Sequence, residues 1–325
     1  MRVGLDVSPL VQTRAGTARY VRGLRRHAEG AEFVPLSFAG RGRAAAVLRD
    51  ALWYPALLPM MATRSDVALL HCPTFRASFH SRLPLVVTVH DLAVLRHPET
   101  FNRWTRTYSR VAVPRVARAA ARVVAVSEFT RSETVELLGV APERVRVIPN
   151  GIEEAFSPDG PTPGGEYVLA VGTLEPRKNL ERLAEATRAL GVELRVAGAR
   201  GWGGVALPSH VRTLGFVSDE ELARLYRGAA CFAYPSLYEG FGLPILEAMA
   251  CGAPVATSRG GATEETAGDA AVLVDPFDTE SIAAGIEETH ARRDELRALG
   301  LARARRFTWP EAARATVDVY RELAA

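Results

Sequence analysis

Short runs rich in valine and leucine, RVGLDV, VALLHC, LVVTVHD, RVVAVS and RVRVIP, alternate with longer amphipathic segments such as 17–28 and 128–138 in the first half of the chain. That alternation predicts parallel sheets assembled from strand–helix–strand units. The stretch PNGIEEAFSPDGPTPGGEY, 149–167, holds four prolines and four glycines and reads as a linker. After it the pattern restarts with YVLAVG, a helix over 179–190, ELRVAG, a helix over 219–228, ACFAYP, a helix from Pro244, PVATS, AVLVD, and helices over 278–289 and 291–306. The expected architecture is therefore α/β, with two doubly wound parallel-sheet domains in tandem at 1–158 and 159–308. Ligands of such sheets bind outside the carboxyl ends of the strands, so function is expected in a central cleft between two facing sheet edges.

Composition leaves this picture in place and removes several classes of protein. A chain of 325 residues exceeds what one hydrophobic core supports, and 48% hydrophobic with 24% charged residues is ordinary for a globular protein. Cys72, Cys231 and Cys251 are odd in number and lack C-x-x-C spacing, which argues against a disulfide framework or a zinc site and for a reducing, cytoplasmic compartment. MRVGLDVSPL runs straight into a strand pattern, without the apolar core and cleavage site of a signal peptide. The longest apolar stretch, ALWYPALLPMMA at 51–62, contains two prolines and is about half as long as a membrane span needs. Charge is uneven: residues 1–160 carry 22 basic against 14 acidic side chains, and 161–325 carry 18 against 23. The first half is the one suited to an anionic surface, and no nucleic-acid partner is expected.

One basic position stands out, because Lys178 is the only lysine among forty Lys and Arg residues. It follows Arg177 in GTLEPRKN, the loop leaving the YVLAVG strand, just ahead of a helix with apolar residues at 180, 183, 184 and 190. Two cations at a helix start oppose its dipole unless an anion is bound there. A planar guanidinium beside a compact ammonium suits a diphosphate, whose oxygens face more than one way, although a solvated surface pair is the plainer alternative.

A second constellation lies in PSLYEGFGLPILEAMACGAPV. Gly240 and Gly242 turn the chain after a strand, Pro244 starts a helix and Gly252 ends it. The amides of Phe241, Gly242 and Leu243 with the helix start form a cradle for an anion. Glu239 flanks the loop and Glu247 is expected in the helix's first turn, and ionised carboxylates there can read hydroxyl groups. Diphosphate and hydroxyls together describe a nucleotide sugar. In the first half, His90 ends an apolar strand next to Asp91 and is a functional candidate, whereas His71 in LLHCPTF reads as structural.

The spacing of Glu239 and Glu247, joined to GTLEPRKN, GFVSDEELARLY, AGDAAVLVDPFD, GLDVSPLVQTRAGTARYVRGL and VVTVHDLAVLRHPE, resembles the retaining glycosyltransferases of family 4, also called group 1, over nearly the whole chain. The resemblance implies the GT-B fold and hexosyl transfer, mannosyl-type favoured, from a nucleotide-diphosphate sugar such as GDP-mannose to a glycan or lipid-linked acceptor in polysaccharide biosynthesis. It implies that Arg177 and Lys178 bind the diphosphate and stabilise the departing nucleotide, that Glu239 contacts the donor sugar, and that Glu247 holds the ribose. It places Gly240, Phe241, Gly242 and Leu243 against sugar or phosphate, Gly16 in a loop near phosphates and acceptor, and His90 at the donor sugar. The loop 196–204, VAGARGWGG, which includes Gly198, resembles the one near the nucleotide base, and the final segment, 309–325, resembles a helix that crosses back to the first domain. The fold implies no metal and no cofactor beyond the substrate. Two positions depart from the family pattern: Glu264 stands where a proline commonly precedes the acid, leaving Glu265 as its match, and Thr17 follows Gly16 where a hydrophobic residue is common.

The basic segment FNRWTRTYSRVAVPRVARAAARVV is expected to place Arg103, Arg106 and Arg110 on one helical face and Arg115, Arg118 and Arg122, beyond Pro114, on another. Through 103–122 the protein could rest on an anionic membrane that carries a lipid-linked acceptor. Other readings stay open at this level: a nucleotide-sugar epimerase or a phosphorylase of the same fold, a glycoside hydrolase using Glu239 and Glu247 as its acid pair, and a nucleotide-binding module without catalysis.

Overall fold

The computed structural model describes residues 1–12, 16–40, 42–201 and 203–324. It divides into two compact units, Met1–Gly151 with Thr308–Ala325, and Ile152–Phe307.

In the first unit β1 (Arg2–Asp6) is followed by α1 (Ser8–Gln12) and α2 (Gly16–His27), and β2 (Glu32–Leu36) by α3 (Arg43–Leu48), a π-helix (Arg49–Leu57) and α4 (Leu58–Arg64). Next come β3 (Leu69–Cys72), β4 (Leu85–Val89), α5 (Ala93–Arg96), α6 (Arg103–Ala119), β5 (Arg122–Ala125), α7 (Glu128–Leu138) and β6 (Val145–Val147). The strands form one parallel sheet in the order β2-β1-β3-β4-β5-β6. Strands β3 and β4 are buried at every position, as unalternated apolar runs in a covered parallel sheet must be. Local signals set the ends of α7: the Ser127 side chain accepts from Thr130 N–H, and Gly139 closes the helix in the left-handed region.

The second unit contains β7 (Tyr167–Val171), α8 (Leu180–Leu190), β8 (Glu193–Ala197), β9 (Arg212–Gly215), α9 (Asp219–Gly228), β10 (Cys231–Tyr234) and α10 (Leu243–Ala250). It ends with β11 (Val255–Ser258), α11 (Gly261–Ala267), β12 (Val272–Val274), α12 (Thr279–Ala291) and α13 (Arg293–Ala304). Its parallel sheet runs β12-β11-β10-β7-β8-β9, so the strand order reverses between β7 and β10. In the first unit the reversal lies between β1 and β3. Loops leaving those strands open a crevice in each sheet, which is where doubly wound folds bind ligands.

The final helix, α14 (Trp309–Ala324), packs on the first unit. Trp309 lies against Tyr20 and Gly23, and Tyr320 bonds to His71. The boundary falls after Gly151 and not after 158, because the proline-rich segment is not a free linker. Phe156 packs its ring on Tyr226, and Arg227 donates to the carbonyls of Ser157 and Pro161. The basic segment also differs from its expected form. Helix α6 continues through Pro114, Arg115 and Arg118 donate back to Val111 and Pro114 carbonyls of the same helix, and Arg122 belongs to β5, paired with Glu322.

Candidate functional site

The loops leaving β7 and β10, on either side of the strand reversal, are tied together by backbone. Leu237 N–H donates to the Arg177 carbonyl at 2.9 Å. Asn179, in the left-handed region at φ 58°, donates through Nδ2 to the carbonyls of Pro235 at 3.0 Å and Pro276 at 2.6 Å. Asparagine tolerates that backbone region better than most residues, and here its amide joins three loops. The sequence carries no signal for this role beyond the position of Asn179 at the head of α8.

Pro176–Lys178 form a single 3-10 turn that aims both cations at the β10 loop. Arg177 donates through Nη1 to Glu239 Oε2 at 2.9 Å and to the Tyr238 carbonyl at 2.6 Å, and through Nη2 to Glu175 Oε1 at 2.6 Å. Lys178 Nζ donates to Glu239 Oε1 at 2.6 Å and to the Tyr234 hydroxyl at 2.7 Å, and that hydroxyl donates to the same carboxylate oxygen at 2.8 Å. Two cations and two carboxylates thus form one balanced quartet. Burial pushes the Glu239 carboxyl up, but the Lys178 ammonium and the Arg177 guanidinium outweigh it and hold it down at about 2, so Glu239 is ionised at neutral pH. Burial and the neighbouring Glu239 push the Tyr234 hydroxyl well above its ordinary value, which keeps it a donor. Glu175, inside GTLEPRKN itself, and Tyr234 complete the site without having been singled out by the pattern.

The glycine loop behaves as its residues suggest. Gly242 caps α10 at φ 106°, a conformation that a side chain strains, and Ile245 N–H donates to its carbonyl at 2.9 Å. The Thr266 hydroxyl donates to the Phe241 carbonyl at 2.6 Å, and the Phe241 ring packs on Phe307. Helix α10 begins at Leu243, so Glu247 lies beyond the first turn, where an acid was expected. It is 1% exposed and accepts from the Tyr226 hydroxyl at 3.3 Å. Gly198 follows β8, and a Cβ there would lie 1.9 Å from the Gly172 carbonyl oxygen, so close packing between strand ends already requires glycine.

In the first unit, His90 lies just past the carboxyl end of β4, with its ring edge-on to Tyr20 and Nε2 bonded to the Pro73 carbonyl at 3.1 Å. A carbonyl only accepts, so Nε2 carries the proton and Nδ1 is left as an acceptor. Burial lowers the pKa of His90. His71 is fully buried between the Tyr320 hydroxyl at 2.6 Å and Thr88 Oγ1 at 2.9 Å, and burial lowers its pKa to about 3, as befits a structural histidine. Gly16 is the exposed first residue of α2, while residues 13–15 of its loop and Trp202 of the 196–204 loop lie outside the described residues.

Comparison with known proteins defines the class. The family model for glycosyl transferases group 1 matches residues 152–303, and that for glycosyltransferase family 4 matches residues 5–156. The chain is 33% identical over 284 residues to O-antigen chain mannosyltransferase B of Escherichia coli, covering 78% of this chain and 74% of that one. It is 32% identical over 277 residues to the MMP alpha-(1->4)-mannosyltransferase of Mycolicibacterium hassiacum, covering 74% of this chain and 66% of that one. Sucrose-phosphate synthase from Thermosynechococcus elongatus aligns over 99% of this chain and 98% of its own at a TM-score of 0.79 and 20% identity. Anabaena HepE in complex with UDP-glucose aligns over 99% of this chain and 100% of its own at 0.76 and 20% identity. The chain belongs to glycosyltransferase family 4, the group 1 glycosyltransferases, with the GT-B fold. It is a hexosyltransferase.

Proposed function

We propose that the protein moves a mannosyl-type residue from a nucleotide-diphosphate sugar to a glycan or lipid-linked acceptor, with retention of configuration and without a metal ion. The observation that carries this reading is the quartet of Glu175, Arg177, Lys178 and Glu239 at the strand reversal beside the glycine loop. The names of the two mannosyltransferase relatives support the sugar, and the UDP-glucose complex of the Anabaena protein supports the donor class.

In this reading the donor's phosphate oxygens replace Glu239 on Lys178 and Arg177, and the released carboxylate turns to the sugar hydroxyls. The bond between the anomeric carbon and the phosphate oxygen breaks with its electron pair on the oxygen, and the two cations stabilise that charge in place of a divalent ion. The acceptor hydroxyl bonds to the anomeric carbon from the same face and passes its proton to the departing oxygen. Glu247 meets the ribose by exchanging the Tyr226 hydroxyl for one of the sugar's, and His90 serves the donor sugar.

Glu239→Gln tests the exchange. Transfer should fall by about two orders of magnitude, while the nucleoside diphosphate binds at least as tightly as to wild type, because no carboxylate competes for the cations. Calorimetry that finds weaker binding in a folded variant counts against the exchange. Turnover with a panel of nucleotide sugars, followed by NMR, should give a product with the donor's anomeric configuration and an unchanged rate in chelator. An inverted product removes retention, and full loss in chelator restored by a divalent ion removes metal independence.

A second, peripheral partner remains for 103–122. No helix among the described residues is long and apolar enough to cross a membrane. Contact with an anionic surface rests on Arg103, Arg106 and Arg110 with half-exposed Val111, since Arg115, Arg118 and Arg122 have partners of their own. Sedimentation with vesicles should show binding to phosphatidylglycerol and none to phosphatidylcholine; equal, weak binding to both ends this reading.

A further inference from the structure

The exchange of Glu239 for phosphate leaves one neighbouring group without a task, the hydroxyl of Tyr234 at the end of β10. Lys178 Nζ lies 2.7 Å from Tyr234 Oη and 2.6 Å from Glu239 Oε1, and Oη lies 2.8 Å from the same Oε1, so the three atoms form a closed triangle. Chemistry fixes every direction in it. An ammonium only donates and a carboxylate only accepts, so Lys178 donates to both oxygens and the phenolic proton points to Glu239. The hydroxyl thus accepts from the cation and donates to the cation's counter-ion.

The fold holds this hydroxyl in place when the carboxylate turns away. Tyr234 is 3% exposed and pairs with Thr257 of β11, whose hydroxyl donates to the Tyr234 carbonyl at 3.0 Å. Its ring stacks on that of Phe232 in the same strand, with centroids 5.7 Å apart and planes at 24°. Glu239, by contrast, lies in the loop between β10 and α10. A donor fixed in a buried strand cannot follow a loop carboxylate to the sugar. Without an acceptor it would carry the desolvation cost of an unmade hydrogen bond, and Lys178 has no lone pair to offer it. Lys178 and Tyr234 meet Glu239 at one and the same oxygen. An anion that replaces that oxygen on Lys178 therefore also replaces it before the hydroxyl.

We propose that Tyr234 is a catalytic residue, a third donor to the departing phosphate beside Arg177 and Lys178. One phosphate oxygen takes the position of Glu239 Oε1 and accepts from both Lys178 Nζ and Tyr234 Oη. As the bond from the anomeric carbon breaks and its electron pair passes to the phosphate, the hydrogen bond from Tyr234 strengthens with the growing charge. The phenolic proton stays on Tyr234 throughout, and the acceptor's proton still goes to the departing oxygen. This role rests on the exchange of Glu239 for phosphate in the proposed function.

Tyr234→Phe removes the hydroxyl and keeps the ring. In the full chain, with thermal melts on the same samples, its kcat should fall about a hundredfold while the donor KM stays within about threefold of wild type. Guanosine and uridine diphosphates serve as binding probes, and the matching monophosphates, which lack the distal phosphate, as controls. Adding Tyr234→Phe to Glu239→Gln, where no carboxylate competes, should weaken diphosphate binding about tenfold and leave monophosphate binding unchanged. Near-normal kcat in a folded Tyr234→Phe protein overturns the role. So does a double variant that binds diphosphate like Glu239→Gln alone, which confines the hydroxyl to holding Glu239 and leaves the transferase reading standing. Weaker diphosphate binding by Glu239→Gln alone removes the exchange, and this role with it. Wild-type protein isotopically labelled at tyrosine Cζ gives an NMR readout without any substitution. Diphosphate should shift a tyrosine signal that monophosphate leaves in place, and the lack of such a signal overturns the role.

Discussion

Lys178→Arg is expected to lose hexosyl transfer by about two to three orders of magnitude in kcat, with the fold intact. The slot occupied by this side chain is built for an ammonium. Its Nζ sits 2.6 Å from Glu239 and 2.7 Å from the Tyr234 hydroxyl, with the Tyr234 ring centroid 5.0 Å away. A Cβ on Gly172 would come 3.0 Å from Lys178 Cε, so the stem runs along bare backbone. A guanidinium is wider and planar, and fitting it displaces either Tyr234 or Glu239 and moves the charge from where the leaving oxygen must be met. Initial rates with the best donor, alongside thermal melts, decide the matter. Near-normal transfer by the arginine variant would show that the single lysine is an accident of composition.

Gly198→Ala should act on stability. The added methyl would stand 1.9 Å from the Gly172 carbonyl oxygen, at a point where Gly172 N–H donates to Ala197 and Gly198 N–H donates to the Gly215 carbonyl. Backbone on both sides leaves no flexible neighbour to yield, so the ends of β7, β8 and β9 must separate. A loss of about 3 kcal/mol or more is expected in urea unfolding of the second unit, and transfer falls with it because the β7 loop carries Arg177 and Lys178. A variant that unfolds like wild type yet no longer binds nucleotide would return Gly198 to a direct ligand role.

These two positions show different degrees of legibility in the sequence. Lys178 could be singled out because composition made it unique and because a strand, a loop and a helix around it were readable from local patterns. Glu239 and the glycine loop were readable for the same reason. Gly198 could be marked by resemblance, but its physical reason lies in a contact with Gly172, twenty-six positions away. Glu175, two residues before Arg177, carries no such mark in the sequence, because an acid beside a base in a loop looks the same whether exposed or 3% exposed.

Hydrophobic periodicity and capping residues are local, and they determined the α/β class, ten of the twelve strands of the described residues, with β2 and β9 left unmarked, and the limits of the helices they marked to within a few residues. Composition determined that one ammonium differed from every other cation. Strand order is not local. It decided that β7 and β10 are neighbours, and so that Arg177 and Lys178 meet Glu239, sixty-one or more positions away, to form a balanced quartet. It likewise decided that Gln12 meets Arg49 and that Asp50 meets Trp104. Coulombic and hydrogen-bond energies fall steeply with distance, so charges far apart in the chain acquire their partners, and their protonation states, only when the sheet brings them within about 3 Å.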